Sequence, residues 1–286
     1  MIVPLAGYPY SFSMINLVRL MPDWSWNSFD QLMAKASTTR VELVPSMALG
    51  VDWDHQIEAQ GGPVQHALDH LLERYAVGSI QSLTYGLKIN LADDLINHTA
   101  LLRRLHGLQI LGTKTQCSVL ILGSPGQKKQ LVPAISDSEH KQRFTANCSW
   151  IANMVGPDLI LSLEHNTRDQ GAEYCNTLAD IVDVVNTIRF DGTANVGINL
   201  DTKCLIHEFG VHVNVGELLA DTDLIDLITS IQVSYDFLTR DSPHCTEDQR
   251  QLLAFARTRA LPLSLEEFGL LENQVHPFVE AWNSQL

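Results

Sequence analysis

Short apolar segments rich in β-branched residues alternate along the chain with longer amphipathic segments. Seven of these short segments predict strands, and a weaker one lies near residues 10–15. The seven are residues 41–44, 79–83, 118–122, 159–163, 196–200, 228–233 and 261–265. Short runs of Val, Ile and Leu are typical of strands that are buried on both faces of a sheet. The pattern therefore predicts about eight strands.

The segments between the predicted strands have the spacing of helices. Residues 95–111 carry leucines at positions 101, 102, 105, 108 and 111, on one side of a helix. Residues 180–188 keep the same spacing, and residues 272–286 predict a closing helix. Because parallel strands need crossover helices, the alternation predicts either a (β/α)₈ TIM barrel or an open doubly wound sheet. The strand count favours a barrel, in a single domain spanning residues 1–286.

Carboxylate side chains come at the ends of three predicted strands. Glu164, Asp201 and Glu266 follow the fifth, sixth and eighth strands. In a barrel, these strand ends meet at the mouth where active sites lie. Carboxylates held close together raise one another's pKa unless a cation or a shared proton neutralises them. The sequence therefore predicts a divalent metal or paired acid/base groups, and a helix cap or a solvated position is the alternative for each carboxylate alone.

The amino-acid composition limits which binding partners and which cellular location we expect. The chain has 286 residues, 45% of them hydrophobic, which is enough for a sizeable core. A net charge of −14 argues against general nucleic-acid binding, but it leaves room for a small phosphorylated ligand at a local Lys or Arg. The five cysteines are widely spaced, which argues against a disulfide framework and favours a reducing, cytoplasmic location. We expect neither a signal peptide nor a membrane span.

Four segments, in this order, resemble the sugar phosphate isomerase/epimerase family, also called xylose-isomerase-like or AP-endonuclease-2-like barrels. They are residues 41–46 (VELVPS), 81–91 (QSLTYGLKINL), 122–125 (LGSP) and 163–174 (LEHNTRDQGAEY). The resemblance implies the same barrel fold. It also implies an isomerase or epimerase that moves a proton next to the carbonyl group of a sugar, a sugar phosphate or a related hydroxy-carbonyl compound.

The same resemblance implies a site for one divalent metal, Mn²⁺, Mg²⁺ or Zn²⁺. Glu164, Asp201 and Glu266 match three of its ligands by position, and Gln232 stands where the family has a histidine. Cys204 stands in place of a histidine on the substrate side. An amide oxygen is a harder and poorer ligand than imidazole. Two alternatives stay open: Gln232 completes an all-oxygen metal site, or the metal is absent and Glu164 and Glu266 act as a bare acid/base pair.

The predicted catalytic residues are Glu164 and Glu266, one removing a proton and the other returning it. The predicted substrate-binding residues are Gln81, Ser124, Lys128, Asn166, Cys204 and Arg240. Two other functions remain: a lyase or dehydratase acting on a similar substrate, and a catalytically silent barrel that serves as a binding or partner subunit. The expected partner is a small-molecule substrate, with neither nucleic acid nor membrane, and a homodimer stays open.

Overall fold

Eight parallel strands close into one barrel in the computed structural model of the chain, which describes residues 10–16, 25–131, 135–267, 270 and 272–283. The strands follow one another around the barrel in chain order, and the last pairs with the first. They are β1 Ser11–Ser13, β2 Arg40–Leu43, β3 Ala76–Ile80, β4 Val119–Leu122, β5 Ile160–Glu164, β6 Val196–Asp201, β7 Ile228–Val233 and β8 Leu263–Leu265. The predicted TIM barrel is confirmed.

Helices connect the strands and cover the barrel. They are α1 Trp26–Lys35, α2 Pro45–Ala48, α3 Trp53–Gln56, α4 Pro63–Arg74, α5 Thr99–Thr115, α6 Asp137–Val155, α7 Leu178–Phe190, α8 Thr202–Phe209, α9 Val215–Leu218, α10 Thr222–Ile225, α11 Tyr235–Thr239, α12 Cys245–Arg259 and α13 Glu272–Asn283. Short 3₁₀ helices span Met14–Asn16 and Pro125–Gln127. Within the described ranges, none of these helices combines the length and the apolar character that crossing a membrane requires.

Local sequence sets where the long helices begin. Ser136 caps α6 by accepting a hydrogen bond from the backbone of Glu139, and Thr177 caps α7 in the same way through Asp180. A side-chain oxygen at this position satisfies a backbone N–H that has no partner inside the helix. β4, which lies between α5 and α6 in the chain, is apolar and buried along its whole length. Helices therefore form the outer layer, and the strands face them with apolar side chains.

Two predicted elements lie at shifted positions. The third strand was expected over residues 79–83 but spans Ala76–Ile80, because Ser82 takes a left-handed backbone conformation with φ of 56° that ends the extended segment. Gln81 therefore lies just beyond the strand. The helix expected from residue 95 begins at Thr99, since the side chain of His98 caps it. The closing helix ends at Asn283, and residues 284–286 of that prediction lie outside the described residues.

Candidate active site

Four carboxylates project into the carboxyl-terminal half of the barrel. Glu164 is the last residue of β5, Asp201 is the last residue of β6, and Glu266 directly follows β8. Glu42 lies inside β2 and is fully buried, while Glu164 and Asp201 are 9% and 7% exposed. Among the residues that the structure describes, no Lys or Arg forms a salt bridge with any of the four; Lys203 pairs with Glu267 and Asp236 instead. Direct neutralisation of these carboxylates therefore requires protons or a bound cation, although the charge of the buried Lys128 acts on Glu164.

Two of these carboxylates gather around a thiol. The Sγ atom of Cys204 lies 3.1 Å from Oδ2 of Asp201 and 3.6 Å from Oε1 of Glu164. Asp201 also caps α8, because its Oδ1 accepts a hydrogen bond from the backbone N–H of Lys203 at 2.7 Å. Since the helix starts directly at the end of β6, Cys204 is carried back over Asp201 within its first turn. Glu164, Asp201 and Cys204 are called the acid–thiol trio below.

In the absence of a cation, the pKa values of all three groups of the trio lie above their ordinary values. Burial raises the pKa of Glu164 to about 8, with a further contribution from the charge of Asp201. Burial also raises the pKa of Asp201. The pKa of the Cys204 thiol lies well above its usual range, first because of burial and then because of both carboxylates. Glu164 is therefore a carboxyl group that titrates near neutral pH rather than a permanent anion.

The acid–thiol trio fits one divalent metal ion. Two carboxylate oxygens and one sulfur lie within 4.8 Å of one another, roughly twice an ordinary metal–ligand distance of ~2.0–2.3 Å. A sulfur ligand suits zinc and other soft ions better than magnesium. Among the described residues, only the trio places three or more ligand atoms of His, Cys, Asp or Glu within 4.8 Å of one another. Glu266 is not part of this group.

The side-chain oxygen of Gln232 is hydrogen-bonded within the protein and is not directed at the trio. Its Oε1 accepts a hydrogen bond from Nδ2 of Asn199, and its Nε2 faces carboxylate oxygens of Glu42 and Glu266. An amide nitrogen has no lone pair for a metal, whereas it donates well to a carboxylate. The structure therefore does not bring the four predicted ligands together: Cys204 joins Glu164 and Asp201, and Gln232 pairs with Glu266. The ligand roles predicted for Gln232 and Glu266 stay predictions.

Glu42 is the centre of a hydrogen-bond network on the side of the barrel mouth where Glu266 lies. Its carboxylate accepts hydrogen bonds from the hydroxyl groups of Ser79 and Ser264, both at 2.8 Å, which fixes it inside the barrel. Nε2 of Gln81 lies 2.6 Å from Glu42 and 2.9 Å from Glu266. Gln232 bridges the same two carboxylates. Two amide groups thus hold Glu266 in place, and burial followed by the nearby charge of Glu42 raises its pKa well above the usual range.

A second set of contacts holds Glu164. Nδ2 of Asn166 donates to its carboxylate, and Oδ1 of Asn166 accepts a hydrogen bond from the backbone of Ser124 at 2.9 Å. The carboxylate also lies directly against the backbone of Gly123. A Cβ atom at that position would overlap the carboxylate and come within 2.6 Å of its Cδ. Only glycine leaves this space, so the turn after β4 and the asparagine after β5 together fix the carboxylate.

Comparisons with known proteins identify the fold. The chain matches no family profile and no curated protein by sequence. Its structure is similar to a probable 3-DHS dehydratase, AsbF, involved in petrobactin synthesis from Bacillus anthracis, with 16% identity, coverage of 96% and 97% of the two chains and a TM-score of 0.61. It is also similar to a D-psicose 3-epimerase in the presence of D-fructose (15% identity, 91% and 86% coverage, TM-score 0.59). A third similar structure is the IOLI protein with a bound zinc atom (14% identity, 97% and 96% coverage, TM-score 0.61).

The chain shares its barrel fold with these three structures. At 14–16% identity these similarities establish the fold alone and leave the reaction open. The three names differ in the chemistry that they describe, so the reaction has to be argued from the side chains.

Two predicted substrate-binding cations lie away from the mouth of the barrel. Lys128 is fully buried, and its Nζ donates to the backbone carbonyl of Glu164 at 3.0 Å, so it supports the end of β5 from behind. Arg240 pairs with Asp248 and lies over the ring of Phe237 at 3.7 Å. Both side chains are buried, and their donors are directed to partners within the protein.

The remaining predicted residues lie together, and one carboxylate was missed. Gln81, Asn166 and Cys204 contact a glutamate of the site, and the backbone of Ser124 donates to Asn166. Glu42 was part of a resemblance segment but was not predicted as a site residue. A single glutamate within the apolar segment 41–44 was the available signal, because a buried charge in a strand requires partners.

Proposed function

We propose that this barrel is an isomerase or epimerase that acts on a sugar, a sugar phosphate or a related hydroxy-carbonyl compound. The observation that carries the proposal is the separate anchoring of two glutamates with raised pKa values, the buried Glu164 and the half-buried Glu266. Asn166 holds Glu164, and the amides of Gln81 and Gln232 hold Glu266. The two glutamates come from β5 and β8, three strands apart around the barrel, which suits proton transfer at different faces of one carbon atom.

The electrostatics of the pair suits proton transfer near neutral pH. A general acid or base works best when its pKa lies near the working pH, and the pKa of Glu164 is about 8. Paired carboxylates in unlike surroundings are a recurring basis for acid/base assignments. One glutamate would accept the proton next to the substrate carbonyl, and the other would return a proton to the resulting enediolate.

A divalent ion bound by the acid–thiol trio would polarise the substrate oxygens and stabilise the negative charge of the enediolate. Glu164 would then be ionised, which is the form in which it accepts a proton from the substrate. Glu266, which lies outside the trio, keeps its two amide partners and remains able to move a proton. Support for the trio comes from its donor atoms, which lie within 4.8 Å of one another.

Hydrogen exchange with solvent tests the proposal directly. The protein is incubated in D₂O with a panel of aldoses, ketoses and their phosphates, and the products are followed by NMR and mass spectrometry. We expect one carbon-bound deuterium next to the carbonyl of an accepted substrate, with an epimer or an aldose–ketose isomer as the product. Glu164→Gln and Glu266→Gln lower the exchange rate by at least ~100-fold, since proton transfer by a positioned group contributes 10²–10⁴-fold. Glu58→Gln, a matched change of a side chain that is 71% exposed, leaves it unchanged.

Other outcomes identify the alternatives. A product lighter by one water molecule identifies a dehydratase, the activity named for one of the similar structures. The absence of both exchange and product across the panel, from a folded protein with and without added Zn²⁺, Mn²⁺ or Mg²⁺, contradicts the proposal. That result favours a catalytically silent barrel that binds a ligand or a partner.

A further inference from the structure

A cavity of about 320 Å³ lies at the amino-terminal end of the barrel, at the opposite end from the carboxylates. Its lining includes Ser11, Arg40, Gly78, Ser118 and Pro262, which lie at or near the beginnings of five strands or just before them. The volume is within the ~300–1,000 Å³ range of small-molecule sites. The cavity is separate from the proposed active site and does not depend on the proposed function.

Arg40 brings an unpaired cation to this cavity. Among the residues that the structure describes, its guanidinium group forms neither a salt bridge nor a hydrogen bond, and its Nε atom is buried without a partner. Buried N–H groups normally have acceptors, and those of a charged group cost more free energy when they lack one. The guanidinium therefore has donors available for a ligand.

The lining has no acidic side chain. None of the twelve residues that line the cavity is Asp or Glu, although the chain has 33 acidic residues against 19 basic ones. Two hydroxyl groups, those of Ser11 and Ser118, add further donors. Gly78 keeps this surface open: a Cβ atom there would overlap Oγ of Ser11 and lie 3.8 Å from Nη2 of Arg40. The glycine thus brings a hydroxyl group and the guanidinium to one face.

We propose that Arg40, with Ser11 and Ser118, binds a small oxyanion, either a phosphate group or a carboxylate. The planar guanidinium matches both anions by donating two parallel hydrogen bonds. The competing explanation is that Arg40 only neutralises the negative ends of α5 and α12, whose last residues adjoin Gln116 and Ala260 in the lining. No hydrogen bond from the guanidinium to a carbonyl group is present at either end within the described residues, so the oxyanion explains the free donors better.

Isothermal titration calorimetry of the metal-free protein tests the site. Inorganic phosphate and succinate are titrated separately, at an ionic strength held constant with NaCl. We expect at least one anion to bind, Arg40→Gln to weaken it at least 10-fold, and Arg40→Lys to retain only part of the affinity because it loses the planar fork. Arg74→Gln is the charge-matched control, since Arg74 is 53% exposed and pairs with Asp30. It leaves the affinity unchanged.

A second, milder variant tests the site even if Arg40→Gln does not fold. Ser11→Ala keeps the charge of the cavity, and we expect it to weaken the same anion a few-fold while circular dichroism stays that of the native protein. Whichever of the two anions binds more tightly identifies the ligand class. The proposal is overturned if neither anion binds, or if the binding that occurs is equal in the native protein and in a folded Arg40→Gln variant. Equal binding places the anion elsewhere and leaves Arg40 as a charge that neutralises helix ends.

Discussion

Replacing Gly123 by alanine tests whether this glycine exists to make room for Glu164. The three atoms nearest to a Cβ built at position 123 all belong to Glu164, and the Cδ atom would lie at 2.6 Å. The backbone itself tolerates alanine, because Gly123 is outside the left-handed region of φ. The cost of the substitution therefore comes from one side chain, which makes the effect interpretable.

The size of the effect follows from the overlap. Non-bonded carbon atoms prefer separations of ~3.5–4.0 Å, so the carboxyl group has to retreat by about 1 Å. Overpacking of this kind costs ~1–3 kcal/mol, and the loss of the hydrogen bond from Asn166 adds ~1 kcal/mol. We therefore expect Gly123→Ala to lower the free energy of unfolding by ~2–4 kcal/mol.

A double-mutant cycle, measured by urea denaturation at pH 7 in the presence of a chelator, isolates the contact. In a Glu164→Ala background the carboxylate is gone and only the Cβ contact at 3.2 Å remains, so Gly123→Ala becomes nearly neutral. We expect a coupling energy of ~2 kcal/mol between the two positions. Equal costs of Gly123→Ala in both backgrounds would show that the glycine serves another purpose, and the packing account of Glu164 would fail.

Two further predictions concern the acid–thiol trio. The pKa of Glu164 is about 8 in the folded protein and near 4.5 in the unfolded chain, so the folded state binds the Glu164 proton more tightly. This proton stabilises the folded state fully below pH 4.5, and the stabilisation is lost as the pH rises to about 8. Glutamine at position 164 does not titrate, so in metal-free urea denaturation Glu164→Gln gains stability relative to the native protein between pH 5 and pH 9. The gain is several kcal/mol, since a tenfold change in proton affinity corresponds to ~1.4 kcal/mol. Parallel curves of unfolding free energy against pH for the two proteins would contradict this. For Cys204→Ser, we expect the affinity for Cd²⁺ or Zn²⁺ to fall at least ~10-fold and the thiolate–Cd²⁺ ultraviolet band to disappear. The control variant Cys245→Ser keeps both the affinity and the band. An undiminished band in Cys204→Ser would show that Cys204 is not a metal ligand.

The barrel and part of its site could be predicted because the signals are local. The apolar strands alternate with amphipathic helices, and β5 and β6 end directly in Glu164 and Asp201. The position of a carboxylate at a strand end needs only the chain itself and the geometry of parallel strands. The resemblance segments agreed with the fold that the structure shows.

The rest of the site depends on contacts between distant parts of the chain. Glu42 is held by residues 37, 190 and 222 positions away in sequence, namely Ser79, Gln232 and Ser264. The sequence also shows an amide at position 232 without showing which of its atoms faces Glu266. Lys128 looked like an exposed base after a turn, and only the packing of that loop against β5 reveals its burial.

The deuterium exchange experiment tests the central claim most directly, namely that Glu164 and Glu266 move a substrate proton. We expect deuterium at the carbon next to the carbonyl with the native protein and with Glu58→Gln, and at least ~100-fold slower incorporation with either Glu164→Gln or Glu266→Gln. Exchange at the native rate in folded Glu266→Gln and Glu164→Gln variants would show that groups other than the two anchored glutamates carry the proton.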